Sequence, residues 1–567
     1  MAFQVSPGVN VSEVDLTAGV QTVSLSAGAF VGPFQWGPAF EVTNIASEAD
    51  LVNTFGKPDT DTFKYWFSAA AFLAYSNQLK VVRAVTGDAL NASDSGGGVL
   101  VKNQTDYEVT FPTGANTYGF AIAKYPGDLG NSLKVSVCPS ATAFGSWDYA
   151  NQFAAAPGTS DWADARGGAA DEMHVVVVDE DGAFTGVANT VLERYAFLSK
   201  ANDAKNNAGD PNYYANVLNR KSAYIYWMSA QGSNTDHWGE ASTNTFGADA
   251  TPYTASLSDG LTDNSTIAGG DIAPIETGWD LFADPDSQDI SLLITGPSVV
   301  NGADATLANY VIDNIAEVRK DCVAFVSPSS NSVVNHAGSE VTDVLADRNA
   351  LTSTSYAVMD SGWKYVYDKY NDVYRWVPLN GDIAGLAART DTTNDPWFSP
   401  AGFNRGVVKN VVKLSWNPKQ LDRDDLYSKG VNPVVSFPAQ GVVLYGDKTL
   451  LSRPSAFDRI NVRRLFIALE KTIARYAKSQ LFEFNDEYTR AAFRNVVEPF
   501  LRDVKARRGV TDFLVVCDET NNTPNVIDQN QFVGDIYVKP NRSINYIQLN
   551  FVAVRSGVSF QEVIGGV

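Results

Sequence analysis

The chain has 567 residues, of which 44% are hydrophobic and 11% aromatic. That is enough apolar side chain to bury a core, which excludes wholesale disorder, and the length suggests about three to five domains. Its 43 lysines and arginines face 64 carboxylates, a formal charge of -21. Such a balance suits neither wrapping nucleic acid nor lying on an anionic membrane.

Cys138, Cys322 and Cys517 lie far apart. They make no metal-ligand spacing and no disulfide framework, which fits a reducing compartment. The N-terminus shows no basic segment followed by an apolar one, so no signal peptide is expected. No run of about 18 apolar residues exists to span a membrane.

The charge is uneven. Residues 400–510 hold 20 lysines and arginines against 11 carboxylates, whereas residues 1–399 hold 20 against 47. A basic block inside an acidic protein is either a solvated helical face or a contact surface for an acidic partner, such as another copy of the chain.

In chain order, residues 3–12 alternate apolar and polar, as a half-buried strand does. Pro7 and Gly8 argue against a central strand. An extended arm and an ordinary edge strand both fit. Gly28–Pro38 reads as strand and turn. Ser47–Phe55 reads as a helix with Ser47 as its cap and Gly56 as its stop. Phe63–Tyr75 continues as helix and Leu79–Val85 as a buried strand. Helix then strand begins an α/β layer.

Residues 86–98 look like a linker, 99–140 like short strands ending at Ser132–Val137, and 141–172 like loop. His174–Asp179 holds four valines and should be a buried strand, turned back at Asp179–Gly182. Ile290–Thr295, Ala303–Lys320 and Asp321–Val326 read as strand, helix, strand, so 171–350 is expected to be one α/β module.

Residues 351–450 are dense in Trp, Tyr, Gly and Pro. Ile460–Phe482 carries an apolar stripe through Val462, Leu465, Leu469 and Ile473, with Arg463, Arg464, Lys471, Arg475 and Lys478 on other faces. A second helix, from about Glu487 to Arg508, should break or restart near Pro499 and stop at Gly509. It carries Arg490, Arg494, Arg502, Lys505, Arg507 and Arg508. Strands follow at 512–517 and 533–538. Ile544–Val554 alternates, and the tail 556–567 reads as a second extended arm.

Catalytic signatures are missing from the sequence. Its three histidines, His174, His237 and His336, form no metalloprotease motif. There is no nucleophile elbow and no phosphate loop. Asp284–Asp289 resembles an acidic calcium loop but lacks its glycine and terminal glutamate, and reads as a turn. Cys322 reads as a buried strand cysteine. Trp and Tyr content would suit sugar stacking, which leaves a surface adhesin or glycan hydrolase as an alternative.

A long ordered set of motifs resembles the tail sheath protein of contractile-tailed, myovirus-type bacteriophages. It runs through Pro7–Glu13, Ala123–Ser132, Arg319–Cys322, Trp376–Gly385, Ala401–Gly406, Asn432–Val434, Gly446–Leu450, Ile460–Phe466 and Phe482–Asp486. The resemblance implies a non-enzymatic structural subunit with no cofactor and no metal. It implies stacked six-membered rings around a tail tube, and contraction from a metastable extended state. Expected partners are the chain itself, the tube protein, and baseplate and neck or terminator proteins. The expected location is the virion, after assembly in the host cytoplasm. A related injection machine, a tailocin or secretion system, is the near alternative.

The implied fold is α/β and α+β multidomain. Residues 21–86 with 351–555 form a discontinuous inner core, 99–170 a small outer β-rich module, and 171–350 a middle α/β module. Residues 1–20 and 556–567 are arms that donate strands to neighbours through Phe3, Val5, Val9, Val11, Val558 and Phe560. Arg463, Arg464, Lys471, Arg475, Arg490, Arg494, Lys505, Arg507 and Arg508 are the candidates for contact with tube or neighbour.

Overall fold

The structure is a computed structural model and describes residues 25–112, 116–228, 237–297 and 306–549. Both expected arms, with Phe3, Val5, Val9, Val11, Val558 and Phe560, lie outside the described residues. The chain divides into two compact units, one ending at Phe482 and one beginning at Glu483.

A seven-stranded sheet organises the first unit, in the order β16-β12-β11-β10-β1-β3-β2. Its strands are β1 (Gly28–Gly32), β2 (Thr43–Ile45), β3 (Leu79–Arg83), β10 (Leu292–Ile294), β11 (Val323–Val326), β12 (Ala357–Asp360) and β16 (Val431–Asn432). All neighbours pair in parallel except β2, which runs antiparallel to β3 at the edge. Central parallel strands are covered on both faces, and β1, β10 and β11 are accordingly buried throughout.

Local signals explain the helices around the sheet. In α1 (Glu48–Phe55) the Ser47 Oγ accepts the Asp50 N–H at 3.1 Å, and Gly56 ends the helix at φ 82°. Helix α2 (Phe63–Leu73) buries Tyr65, Trp66, Ala69 and Phe72. A missed helix, α3 (Gln104–Thr110), replaces expected strand; its signal was Asn103, whose side chain accepts the Asp106 N–H. Helix α4 (Thr306–Tyr310) continues through a π-helical stretch, Val311–Ala316, into Glu317–Arg319. It links β10 to β11, and Leu292 pairs with Val323, so the strand–helix–strand expectation holds there.

The sheets do not follow the expected module limits. Strands from 171–350 go to two places. β10 and β11 join the seven-stranded sheet, while β6 (Glu172–Asp179) and β7 (Thr190–Ser199) join β5 (Leu133–Cys138) and β9 (Tyr253–Ser256) in a separate four-stranded sheet. That second sheet has its own core, with Val135, Val137, Val175, Val177, Leu198 and Trp227. A short pair, β4 (Ala121–Ala123) with β8 (Ile225–Trp227), packs into it. An apolar run tells that a strand is buried but not which strand lies beside it.

Residues 86–98 are not a solvated linker. Asn91 and Ser93 are fully buried, and the Asn91 amide bonds Val101 and Ala123. Its side chain replaces ladder bonds that the irregular backbone cannot make.

The sheath-like motif at Trp376–Gly385 begins in β14 (Val373–Pro378), which pairs with β13 (Trp363–Asp368), itself paired with β15 (Lys413–Leu414). It ends in α5 (Asn380–Thr393). There Asn380 donates to the Gly296 carbonyl at 2.6 Å, and Asp382 pairs with Lys364 at 2.8 Å. A Cβ at Gly381 would lie 2.1 Å from the Ser68 carbonyl oxygen, and one at Gly385 2.4 Å from the Tyr75 ring. Both glycines let α5 approach α2. A further hairpin joins β17 (Val434–Phe437) to β18 (Gly441–Leu444).

In the second unit, α7 (Glu487–Ala506) packs on a two-stranded antiparallel sheet of β19 (Val510–Val516) and β20 (Asp535–Pro540). Pro499 does not break this helix. Pro499 and Asn495 are both exposed, so the carbonyl freed by the missing N–H sits on the solvent side. The left-handed residue at the helix end is Arg508, at φ 68°, and Gly509 donates its N–H to the Val504 carbonyl.

Candidate assembly interface

The basic block lies on α6 (Ile460–Lys478) and α7. On α6 the structure turns most candidate cations inward. Arg463 is 6% exposed and lies between the Tyr356 and Phe457 rings at 4.2 and 4.0 Å. Arg464 is buried, pairs with Asp391 at 2.5 Å and donates to the Ala387 carbonyl at 3.1 Å. Burial pushes the Asp391 carboxyl above its usual range, against the pull of the Arg464 charge.

The C-terminal half of α6 meets the acidic loop at 284–289. Lys471 reaches Asp289 at 3.0 Å and Asp321 at 3.3 Å, Arg475 reaches Asp289 at 3.2 Å, and Lys478 reaches Asp286 at 2.6 Å. The loop is therefore a counter-charge for a helix, not an open calcium turn. Among the described residues, no group of three or more His, Cys, Asp or Glu is placed to hold a metal. Opposite charge in the two segments was visible in the sequence; their proximity was not.

On α7, Arg490 is 6% exposed and donates to Asn485 Oδ1 at 2.9 Å. Arg494 is half-buried and lines a cleft of about 380 Å³ with Arg490 and Cys517. Lys505 pairs with Asp512 at 3.1 Å, and Arg507 with Asp503 at 3.3 Å. Arg508 is exposed. The nine candidates are thus not all exposed. Arg463 and Arg464 are internal, and Lys471 and Arg475 are engaged within the first unit. Arg494, Lys505, Arg507 and Arg508 remain on the outside of the second.

A different surface emerges there. β19 and β20 pair with each other and, among the described residues, with no third strand. Leu514 and Tyr537 are cross-strand partners, 58% and 60% exposed, so this face of the ribbon exposes an apolar pair, flanked by Asp512 opposite Lys539 and by Asp535 opposite Val516. Phe484, Tyr488, Ile544 and Tyr546 are also exposed. Residues 541–549 form no regular element. A two-stranded ribbon is marginal alone, and its open edges are ready to pair.

Cys322, Cys138 and His174 are buried. Burial pushes the Cys322 thiol up to about 12 and the Cys138 thiol up to about 11. Burial lowers the His174 imidazole. Its Nδ1 accepts the Phe197 N–H at 3.0 Å, and its ring stacks on Phe153 at 4.4 Å.

Comparison with solved structures defines the class of fold. The chain is similar to a sheath tail protein from Listeria innocua, with a TM-score of 0.52 and 10% identity over 92% of this chain and 96% of that one. It is similar to the helical sheath of the anti-feeding prophage in its contracted state, with a TM-score of 0.51 and 13% identity over 97% and 99%.

Sequence comparison then defines the family. Residues 290–450 match the phage tail sheath protein central domain, 452–553 the phage tail sheath C-terminal domain, and 29–84 the N-terminal region of tail sheath protein Gp18 domain III. The tail sheath protein of Enterobacteria phage T4 is 34% identical, over 99% of both chains. That of Salmonella phage ViI is 34% identical, over 100% of this chain and 98% of the relative. The chain belongs to the tail sheath protein family of contractile-tailed bacteriophages.

Proposed function

We propose that the chain polymerises as stacked six-membered rings around a tail tube and contracts from a metastable extended state, driving the tube through the host envelope. Neighbouring copies are linked by strand donation: residues 1–20 and 556–567 of other subunits add to the β19–β20 ribbon. The observation that carries this reading is the ribbon itself, two strands with both outer edges unpaired among the described residues. Each added strand makes several backbone hydrogen bonds, worth about 0.5–1.5 kcal/mol apiece. It also places alternate apolar residues on the Leu514 and Tyr537 face or its reverse. Such links survive a rigid rotation of subunits, because the arm bends while the ribbon stays paired.

The subunit performs no catalysis in this reading and needs no cofactor, because the energy of contraction is stored in the extended packing. Its partners are other copies, the tube protein, and baseplate and neck or terminator proteins. Its place is the virion tail, after assembly in the host cytoplasm. Contact with tube or neighbour falls to the α7 candidates, Arg494, Lys505, Arg507 and Arg508 on the outside and Arg490 within the cleft it lines. The discontinuous inner core at 21–86 and 351–555 now takes in β10 and β11, and 99–170 joins the first part of 171–350 as the outer portion.

The likeness to the anti-feeding prophage sheath keeps a related injection machine as the second reading. The 34% identity to the T4 protein along the full chain favours the phage. Family membership favours the structural reading over the adhesin or glycan-hydrolase alternative. Negative-stain electron microscopy of purified protein tests the proposal. Six-fold rings or tubes are expected; a monomer at high concentration would contradict it.

A further inference from the structure

Two arginines on one face of α7, Arg490 and Arg494, stand four residues apart and form the floor of a cleft of about 380 Å³. The other lining residues are Glu487, Cys517, Asp518, Glu519 and Thr520. Arg490 is more than nine-tenths buried. Its Nη1 is held by the Asn485 carbonyl at 3.3 Å and Asn485 Oδ1 at 2.9 Å, and its Nε and Nη2 bond nothing among the described residues. Arg494 likewise makes no ion pair among the described residues, unlike Arg464, Lys471, Arg475 and Lys478 on α6. The half-buried acid of the lining does not close the gap. Asp518 takes its hydrogen bonds from Thr520, although the two arginine charges help hold its carboxyl low.

A guanidinium held on one side with its other edge open is built to receive a carboxylate in fork geometry. The rim narrows the choice. Glu487 and Glu519 are exposed acids at its mouth. They repel a polyanion such as nucleic acid but admit one carboxylate that reaches past them. The body of the chain supplies such groups, with 47 carboxylates against 20 lysines and arginines in residues 1–399.

We propose that this cleft receives an aspartate or glutamate side chain from a second copy of the chain. The inference rests on the polymer reading above and names one contact within it. Arg490 orients the carboxylate from the floor, and Arg494 closes on it from the next turn. The cleft then adds a charge-dependent contact to the strand-mediated links.

The test is polymerisation of the purified full-length protein at low salt, followed by sedimentation and electron microscopy. Arg494→Glu is compared with wild type and with Arg220→Glu, an exposed position far along the chain that makes the same charge change. All three should show the same melting temperature as monomers. Arg494→Glu is expected to raise the concentration needed for polymer by about tenfold or more, with Arg220→Glu near wild type. Glutarate should inhibit wild-type assembly beyond sodium chloride of equal ionic strength, and leave Arg494→Glu unaffected. Equal thresholds for wild type and Arg494→Glu would overturn the cleft alone. Normal self-assembly with loss of attachment only to a tube would also overturn it, by making the tube the occupant. No polymer from wild type would overturn the polymer reading and the cleft with it.

Discussion

Lys471 and Asp289 lie 182 residues apart in sequence and 3.0 Å apart in the structure. The contact joins the basic helix α6 to the acidic loop that precedes β10. Lys471 also donates to the Ile290 carbonyl at 2.6 Å, beside the start of β10. The pair therefore ties the helix to the centre of the main sheet.

Beyond Thr472, α6 buries no residue. Its last turns are held by Arg475 and Lys478 on Asp289 and Asp286. Ion pairs this exposed are weak and screened by salt. Amide exchange across 473–478 should therefore be about twofold to fivefold faster in Asp286→Asn/Asp289→Asn than in wild type. High salt should bring wild type to the same rate. Equal rates at low salt would show that the pairs hold nothing.

Asp360 is buried at the end of β12, accepting from Ser327 Oγ at 2.6 Å and the Gly362 N–H at 2.9 Å. Burial pushes its carboxyl up from 3.8 to about 8. Between those values the folded chain keeps a proton that the unfolded chain has lost. Stability therefore falls as pH rises through that window, by about 1.4 kcal/mol per pH unit from this group. Asp360→Asn mimics the protonated acid. Its stability relative to wild type should climb from pH 5 to pH 8 in urea titrations. A difference that stays constant with pH would show that Asp360 is ionised in the fold.

Gly381 and Gly385 carry the contact of α5 with α2. Gly381→Ala forces a Cβ against the Ser68 carbonyl oxygen. Backbone cannot swing aside as a side chain can, so a loss of about 1–3 kcal/mol or more is expected. Gly385→Ala meets the Tyr75 ring instead. Tyr75 in turn donates to Asp382 at 3.1 Å, so shifting the ring disturbs the Lys364–Asp382 pair. Thermal unfolding of both variants checks this; wild-type melting temperatures would show that the helices have room to part.

Removing residues 1–20 should leave the melting temperature of the monomer unchanged and abolish polymer. The same is expected for removal of 556–567. An arm that folds back on its own subunit would instead lower the melting temperature when removed.

Local signals were legible in the sequence. The Ser47 cap, the Gly56 stop and the strand–helix–strand at 290–326 each depend on residues a few positions apart. The sheet order was not legible, because β1 finds its neighbours near residues 80 and 293 through packing alone. Pro499 misled because an exposed proline mid-helix costs only one solvent-side bond when Phe493, Val497 and Leu501 hold the helix down. The basic block misled in a different way. Counting charges located the cations, but it could not show that Arg463 and Arg464 face rings and carbonyls of their own subunit. The motifs at Asn380–Gly385 and Asn432 prove to be interior joints, with the Asn432 amide bonding the Met359 and Lys448 carbonyls.

Strand donation to the β19–β20 ribbon is the central claim, and cryo-electron microscopy of the polymer tests it most directly. Density for added strands should run along both edges of the ribbon. It should trace to residues 1–20 and 556–567 of neighbouring copies, with Phe3, Val5, Val9, Val11, Val558 and Phe560 packed on the ribbon or beneath it. Bare edges, or edges filled by the subunit's own termini, would contradict the claim.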